Sequence, residues 1–426
     1  MRSLVNLILF QSGWWGTVLL VESQSSLMAF SLSISLGLIH LILFSFPGET
    51  EFVLKTSLMG YLADMLLHKS GMITFLPQVE TLPPPWLFGI WFLLSCTLLH
   101  SMRWLFEKRI LGLVASAIIG PLTYFLVAQK YSFISYPSTI FPTLLFQGLI
   151  WGILVFLFSK LAPKATSMID LKHKHILLTG ASRGIGLALA RELASRNVTL
   201  HLVGRSITDE HVAELKKLGA QDVRIHQSDL SNTQELDQLV GHLKTFPIEV
   251  LINNAGQLTG GLLEEQSVDE IEKMLNLNVN ALIRLTRLML PQMLKAQRGV
   301  IINNSSVSGK MFFPCASTYA ASKAAVAAFT HSLAQELRGT GVSAHLMITP
   351  GVKTKMFDDI STLYGGHLDL SFMSSITASS WAKTVVSQVE QGRDVIWPHG
   401  TTYFGVKFAY YFPVLFEKMV ATKFKR

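Results

Sequence analysis

Thr179-Gly180-Ala181-Ser182-Arg183-Gly184-Ile185-Gly186 follows the apolar run His175 to Leu178 and precedes Leu187-Ala188-Leu189-Ala190-Arg191-Glu192-Leu193-Ala194, whose apolar residues recur at helical spacing. The order is buried strand, glycine-rich turn, helix. Such a turn aims backbone N–H groups and the positive end of a helix at a pyrophosphate, as a dinucleotide-binding unit requires. Outward from this point strand-like runs alternate with helical ones: Thr199 to Val203, Val223 to His226, Val250 to Asn253, Gly299 to Asn303, Val342 to Ile348 and Asp394 to Trp397. The alternation predicts an α/β class with a doubly wound parallel sheet.

A second signal lies downstream. Tyr319-Ala320-Ala321-Ser322-Lys323 opens a helix-forming stretch to about Gly339, and Tyr and Lys at i and i+4 project from one helical face. A free phenol titrates near 10, and an adjacent ammonium favours its ionised form, so the pair is expected to make Tyr319 a usable acid/base.

Upstream the chain changes character. Of 426 residues 50% are hydrophobic and 15% charged, and the mean hydropathy is +0.39, too apolar for a purely soluble protein. Long apolar runs crowd the first 165 residues, and six stretches approach the ~20 residues needed to cross a bilayer: 4–21, 27–46, 52–75, 86–105, 110–128 and 141–161. The first is read as a retained helix: Trp14-Trp15 sit in its middle and no small-residue cleavage site follows. With six spans both ends share one side, and Arg2, Arg103, Lys108, Arg109, Lys160, Lys164, Lys172 and Lys174 then gather there against Lys69 and Lys130. That bias places the C-terminal part in the cytoplasm. Asp64, within the third span, is either a functional carboxylate, or one hydrogen-bonded to a neighbouring helix, or part of a segment that only lies at the membrane interface. The expected organisation is a helical membrane domain over 1–162, a linker at 163–174, a catalytic domain over 175–400 and a basic aromatic segment at 401–426.

The formal charge of +8 is shared by both parts, and no Lys/Arg stripe interleaved with aromatics occupies one element, which argues against nucleic acid. Cys96 and Cys315 form no disulfide framework, and no metal-ligand spacing surrounds either, so no metal is expected.

The spacing Gly180-x3-Gly184-x-Gly186, with Asn253-Asn254-Ala255-Gly256 and Tyr319-x3-Lys323 in that order, resembles the short-chain dehydrogenase/reductase family over roughly residues 172–400. The resemblance implies a Rossmann-type sheet of about seven strands. It implies a cofactor crevice lined by Gly180, Ser182, Arg183, Gly184, Ile185, Gly186, Asn254, Ala255 and Gly256, with Asp229 and Leu230 at the adenine. It implies Ser306, 13 residues before Tyr319, as the serine that binds the substrate carbonyl, with Ser305 a near decoy. It further implies Asn278 as the asparagine that positions a water, Asn276 and Asn280 being decoys, and Lys323 as the residue holding the nicotinamide ribose. Pro350-Gly351-Val352-Lys353-Thr354 resembles the segment that contacts the nicotinamide amide, although Thr354 stands one residue earlier than usual. Association into dimers or tetramers through 268–296 and 317–339 is also implied.

The cofactor is read from the end of the second strand. An NAD enzyme places a carboxylate there for the ribose 2′-hydroxyl, whereas a cation accommodates a 2′-phosphate. Gly204 occupies the position and Arg205 follows, so NADP(H) is expected. By the same resemblance, residues 355–380, rich in Met, Phe and Leu, occupy the family's variable substrate lid, and the tail from Tyr403 interleaves aromatics with lysines, the composition either of a segment lying on anionic lipid or of a covering flap or dimer contact. Cys315 is expected to line the pocket. These features predict reduction of a hydrophobic carbonyl compound at a membrane. The rival is a membrane binding or transport module with a non-catalytic NADPH-sensing domain. The N-terminal Phe10-Gln11-Ser12-Gly13-Trp14-Trp15 and the Gly60, Asp64, Gly71 pattern resemble, over roughly 4–160, an uncharacterised family of small bacterial inner-membrane proteins. The bacterial inner membrane is therefore the expected location.

Overall fold

A computed structural model of the chain describes residues 2–23, 25–44, 48–75, 83–131, 133–137, 139–162 and 168–426. The chain divides into two compact units, Met1–Ala165 and Thr166–Arg426. Part of the expected linker, 163–167, lies outside the described residues.

The first unit is helical apart from one short antiparallel pairing of Thr74–Phe75 with Ile134–Ser135. Among the described residues four helices are long and apolar enough to cross a membrane: Leu4–Glu22, Ser26–Phe44, Arg109–Lys130 and Ile140–Leu161. This is two fewer than the six expected. The third expected span is the helix Glu49–Lys69, long enough but carrying Glu49, Glu51, Lys55, Asp64 and Lys69. The fourth, expected over 86–105, is the 11-residue helix Pro85–Ser95 followed by turns, with Thr97 donating back to the Leu94 carbonyl. Its apolar character has another cause: Trp86, Leu87, Trp91 and Phe92 form the centre of the unit, encased by the other helices. Hydropathy along a chain does not distinguish a helix wrapped in protein from one wrapped in lipid.

The unit exposes apolar side chains on its surface and buries several polar ones within its apolar core. Leu27, Ile110 and Phe141 are exposed, while Asn6, Thr17, Ser33, Asp64 and Gln147 are buried. That arrangement suits a hydrocarbon solvent, where interior polar groups bond across helices. Thr17 Oγ1 lies 2.6 Å from Ser33 Oγ. Asp64 accepts from Trp91 Nε1 and from the Tyr124 hydroxyl, both at 2.6 Å, so its carboxylate is hydrogen-bonded to two neighbouring helices. Gly60 leaves the space into which the Trp91 ring fits.

The second unit is built on a seven-stranded parallel sheet. Its strands are β1 (His175–Thr179), β2 (Thr199–Val203), β3 (Asp222–His226), β4 (Val250–Asn253), β5 (Gly299–Ser306), β6 (Val342–Thr349) and β7 (Val395–Ile396), in the order β7-β6-β5-β4-β1-β2-β3. Both faces are covered, so the strands are apolar without alternation. Ile176 and Leu178 pack with the helices Gly184–Ala194 and Ala378–Glu390; Leu177 points to the other face, with Thr233–Leu243 and Leu282–Ala296. Burying each of these side chains contributes roughly 1.5–3 kcal/mol. Strand order reverses between β1 and β4, and doubly wound sheets take their ligands in the crevice beyond the carboxyl ends of the strands at such a point.

The tail forms two helices, Thr401–Tyr411 and Pro413–Ala421, and then returns to the lid. Leu368 bridges Phe424, the Lys425 amide donates to the His367 carbonyl at 2.8 Å, and Lys423 pairs with Asp369. Lys407 lies over the rings of Trp397, Tyr403 and Tyr411, so part of the basic character expected to meet lipid is engaged within the unit.

Candidate active site

The glycine turn has the conformation its composition requires. Gly180 and Gly184 have φ of +67° and +58°, the left-handed region that glycine enters without strain. A Cβ on Gly180 would meet the Ala255 backbone at 2.8 Å, and one on Gly186 would strike the Gly180 carbonyl. The helix Gly184–Ala194 starts with no side-chain cap and no acidic residue in its first turn, so its leading N–H groups face the crevice. This cradle fits a pyrophosphate. Ser182 and Arg183 flank it, and Ile185 packs against the core beneath.

Asn254 and Ala255 close the opposite wall. The Asn254 side chain donates to the Thr179 carbonyl at 3.0 Å, and the Asn254 and Ala255 amides donate to Thr179 Oγ1 at 2.9 and 3.0 Å. Asn304 donates to Asn254 Oδ1 and accepts from Thr349 Oγ1 at 2.6 Å, which ties β1, β4, β5 and β6 together at their carboxyl ends. Sequence reading did not single out Asn304 and Thr349; the Asn303-Asn304 pair, mirroring Asn253-Asn254 one strand away, was the available signal.

Ser306 ends β5, and the structure separates it from its decoy. Ser305 Oγ donates to the Lys323 carbonyl at 2.7 Å and so fastens a helix, whereas the Ser306 hydroxyl lies beside the Tyr319 phenol. Asn278 sits in a π-helical turn, Asn276–Ala281, between two α-helices, and such bulges re-aim a side chain. It is buried; it donates to the Gln257 carbonyl at 2.9 Å and Ser322 Oγ at 3.1 Å, and accepts from the Gln257 amide at 2.8 Å. Asn276 and Asn280 bond each other on the exposed side. A Cβ on Gly256 would lie 3.1 Å from Asn278 Oδ1 and 3.4 Å from Lys323 Nζ, so both groups converge over that glycine.

The electrostatics correct one expectation. Burial pushes the Tyr319 phenol up to about 12, with the Ser306 hydroxyl pulling the other way, and burial lowers Lys323 to about 8. Lys323 Nζ lies 5.7 Å from the centre of the Tyr319 ring and donates instead to the Asn304 carbonyl at 3.0 Å. Burial and the Ser306 hydroxyl, not the ammonium, set the direction of the phenol's shift. Tyr319 holds its proton at neutral pH, the state needed by a group that must give one up.

Arg205 is 71% exposed at the crevice mouth, with Nη1 3.5 Å from Asp229 Oδ2. Asp229 also binds Ser231, and Leu230 is buried beneath. Pro350 follows β6, and Gly351, Val352 and Lys353 pair in parallel with Ser375–Thr377 of the lid. Thr354 reaches the glycine turn despite its early position, its Cγ2 standing 3.3 Å from where a Gly184 Cβ would be. Cys315, with φ of +64°, is buried against Tyr364 and Leu368 in the lid. An apolar cavity of about 460 Å³, lined by Phe312, Phe313, Pro314, Ala320, Ala321 and Ala324, lies along the helix that carries Tyr319 and contains none of the four candidate catalytic residues.

A short chain dehydrogenase family model matches residues 174–364. A 3-oxoacyl-[acyl-carrier-protein] reductase of Synechocystis sp. is 33% identical over 190 residues, 43% of this chain and 76% of that protein. The chain belongs to the short-chain dehydrogenase family. The ketoacyl reductase HetN of Nostoc sp. is 39% identical to this dehydrogenase over 188 residues, 43% of this chain and 65% of the Nostoc protein's length. Two solved members, one from Sphingobium yanoikuyae in complex with NADPH and one from Burkholderia phymatum in complex with NAD, each superpose with a TM-score of 0.51 at 25% identity. They cover 59% and 58% of this chain and 97% and 96% of their own. Residues 3–157 match a family described as a protein of unknown function, DUF2878.

Proposed function

We propose that this short-chain dehydrogenase is a membrane-anchored, NADP(H)-dependent reductase of a hydrophobic ketone or aldehyde. One observation carries the reading: the Tyr319 phenol lies beside the Ser306 hydroxyl, with Lys323 and Asn278 converging over Gly256 of the wall that faces the glycine cradle. When bound, the nicotinamide supplies the hydride that reaches the carbonyl carbon. Ser306 and Tyr319 donate hydrogen bonds to the carbonyl oxygen and so stabilise the charge that develops there. Tyr319 gives its proton to that oxygen. Lys323, braced by Asn304, presents its charge to the ribose, and Asn278 with a water returns a proton from solvent. Gly180, Gly184 and Gly186 with the Gly184–Ala194 helix would hold the pyrophosphate.

Arg205 together with the missing carboxylate at Gly204 supports NADP(H). The substrate class rests on the Met, Phe and Leu of the lid, on the exposed Phe404, Tyr410, Val414, Leu415 and Met419 of the tail helices, and on relatives named as ketoacyl reductases. The four apolar helices support anchoring, and the Lys/Arg bias supports a cytoplasmic catalytic unit at a bacterial inner membrane. We extend the family's mode of association, through 268–296 and 317–339, to a homodimer or homotetramer. The test is untargeted lipid profiling after NADPH is added to membranes containing the protein, with Tyr319→Phe as control. An acyl or isoprenoid carbonyl consumed only by the native protein is the expected result; turnover confined to small soluble ketones would refute the substrate class.

A further inference from the structure

Three side chains with metal-ligand chemistry meet inside the first unit, far from any dehydrogenase motif in the sequence. His40, near the end of the helix Ser26–Phe44, and His100, in the turns after Pro85–Ser95, both direct Nε2 at one oxygen of Glu49, the first residue of Glu49–Lys69. The distances are 2.9 and 2.8 Å, and the three ligand atoms lie within 4.8 Å of one another. The His40 and Glu49 side chains are 2% and 0% exposed and that of His100 is 13% exposed. No local spacing announces the group, since its members are 9 and 51 residues apart.

We infer that His40, Glu49 and His100 bind a divalent transition-metal ion such as Zn²⁺ or Co²⁺. Two imidazoles and one carboxylate form a borderline N₂O donor set of the kind such ions select, with a remaining position for water or substrate. Burial favours a tight complex, because the carboxylate charge is compensated by the ion instead of by solvent. An outer shell is present: Asn6, from the first helix, donates to His40 Nδ1 at 3.1 Å and to the Cys96 carbonyl at 3.0 Å, and accepts from Ser101 Oγ at 2.7 Å. In this arrangement His40 carries its proton on Nε2. Metal binding at Nε2 moves that proton to Nδ1, where the Asn6 Oδ1 accepts it once the amide turns; the turn keeps a hydrogen bond to Ser101 Oγ and gives up the one to the Cys96 carbonyl, and the ring neither gains nor loses a proton.

The test uses tag-free, full-length protein in detergent, stripped with chelator and titrated with Co²⁺ and then Zn²⁺. One equivalent of cobalt per chain, with visible ligand-field bands that zinc abolishes, is expected. Glu49→Gln and His100→Gln should lose the bands, Lys55→Gln and His201→Gln should retain them, and Asn6→Ala should weaken binding roughly 10- to 100-fold. Less than stoichiometric cobalt in native protein that elutes as a single species would overturn the site, as would undiminished binding in the ligand variants. Should those variants not fold, X-ray absorption of the zinc-loaded native protein decides: two imidazoles in the first shell support the site, and their absence refutes it.

Discussion

The Lys323 ammonium is anchored from beneath by the Asn304 backbone carbonyl, 3.0 Å away, and its helix is fastened by Ser305 from the same strand. The charge is thereby held over Gly256, 5.7 Å from the centre of the Tyr319 ring. Because burial lowers Lys323 to about 8, the ammonium is present below that pH and is lost as pH rises through it. The second-order rate constant for NADPH should be level near neutrality and decline above pH of about 8. Lys323→Met should reduce it roughly 10- to 100-fold, as expected for losing charge-assisted hydrogen bonds, and remove the alkaline decline. Steady-state kinetics over pH 6 to 10 would check this; an unchanged alkaline limb in Lys323→Met would assign it to another group.

Tyr319 is placed to hold a proton, not to share one. Replacing it with Phe removes the acid but leaves the glycine cradle and Lys323 in position. Turnover should fall roughly 10²- to 10⁴-fold, the range for a positioned general acid. NADPH affinity, read by quenching of protein fluorescence, should change little. Turnover persisting at the native rate would remove Tyr319 from the chemistry.

Arg205 is exposed and tied only to Asp229, at 3.5 Å, so it is free to swing onto a 2′-phosphate. Asp229 gives up part of that pairing when it does. Arg205→Asp should lower the second-order rate constant for NADPH roughly 10- to 100-fold while that for NADH holds or rises. Native protein that uses both cofactors equally would defeat the NADP(H) assignment.

The dehydrogenase unit was legible because its motifs are local: a strand, a turn with φ above zero and a helix are dictated within a dozen residues. The choice of Ser306 over Ser305 and of Asn278 over its two neighbours came from family spacing. In the structure Ser305 bonds the Lys323 carbonyl and Asn276 bonds Asn280 on the exposed side, while Ser306 lies beside Tyr319 and Asn278 is buried. Two features were not legible. The sign of the Tyr319 shift depends on burial, which an i, i+4 spacing does not contain. Among the described residues Pro85–Ser95 is apolar yet only 11 residues long, a length that hydropathy along the chain does not reveal, and the His40, Glu49 and His100 convergence depends on how separate helices assemble.

A row of histidines crosses three strands of the sheet. His175 Nδ1 lies 3.2 Å from His201 Nε2, and His201 Nδ1 lies 3.2 Å from His226 Nε2. A chain of this kind is satisfied when each ring is neutral, donating at one nitrogen and accepting at the other. Burial first, and then the neighbouring histidines and Arg224, lower His201 to about 3; burial, His242 and Arg224 lower His226 to about 4. The unfolded chain takes up these protons near pH of about 6.5, whereas the folded chain resists until well below. The stabilisation from the neutral rings is therefore complete above about 6.5 and is lost as pH falls toward 4, by roughly 1 kcal/mol per pH unit for each ring. Asp222 opposes the His201 shift in part, and other carboxylates add their own acid dependence, so the comparison must be between variants. The thermal midpoint of His201→Gln should fall less than that of the native protein between pH 6.5 and 4.5. Equal slopes would show that the histidine row does not set the acid limit.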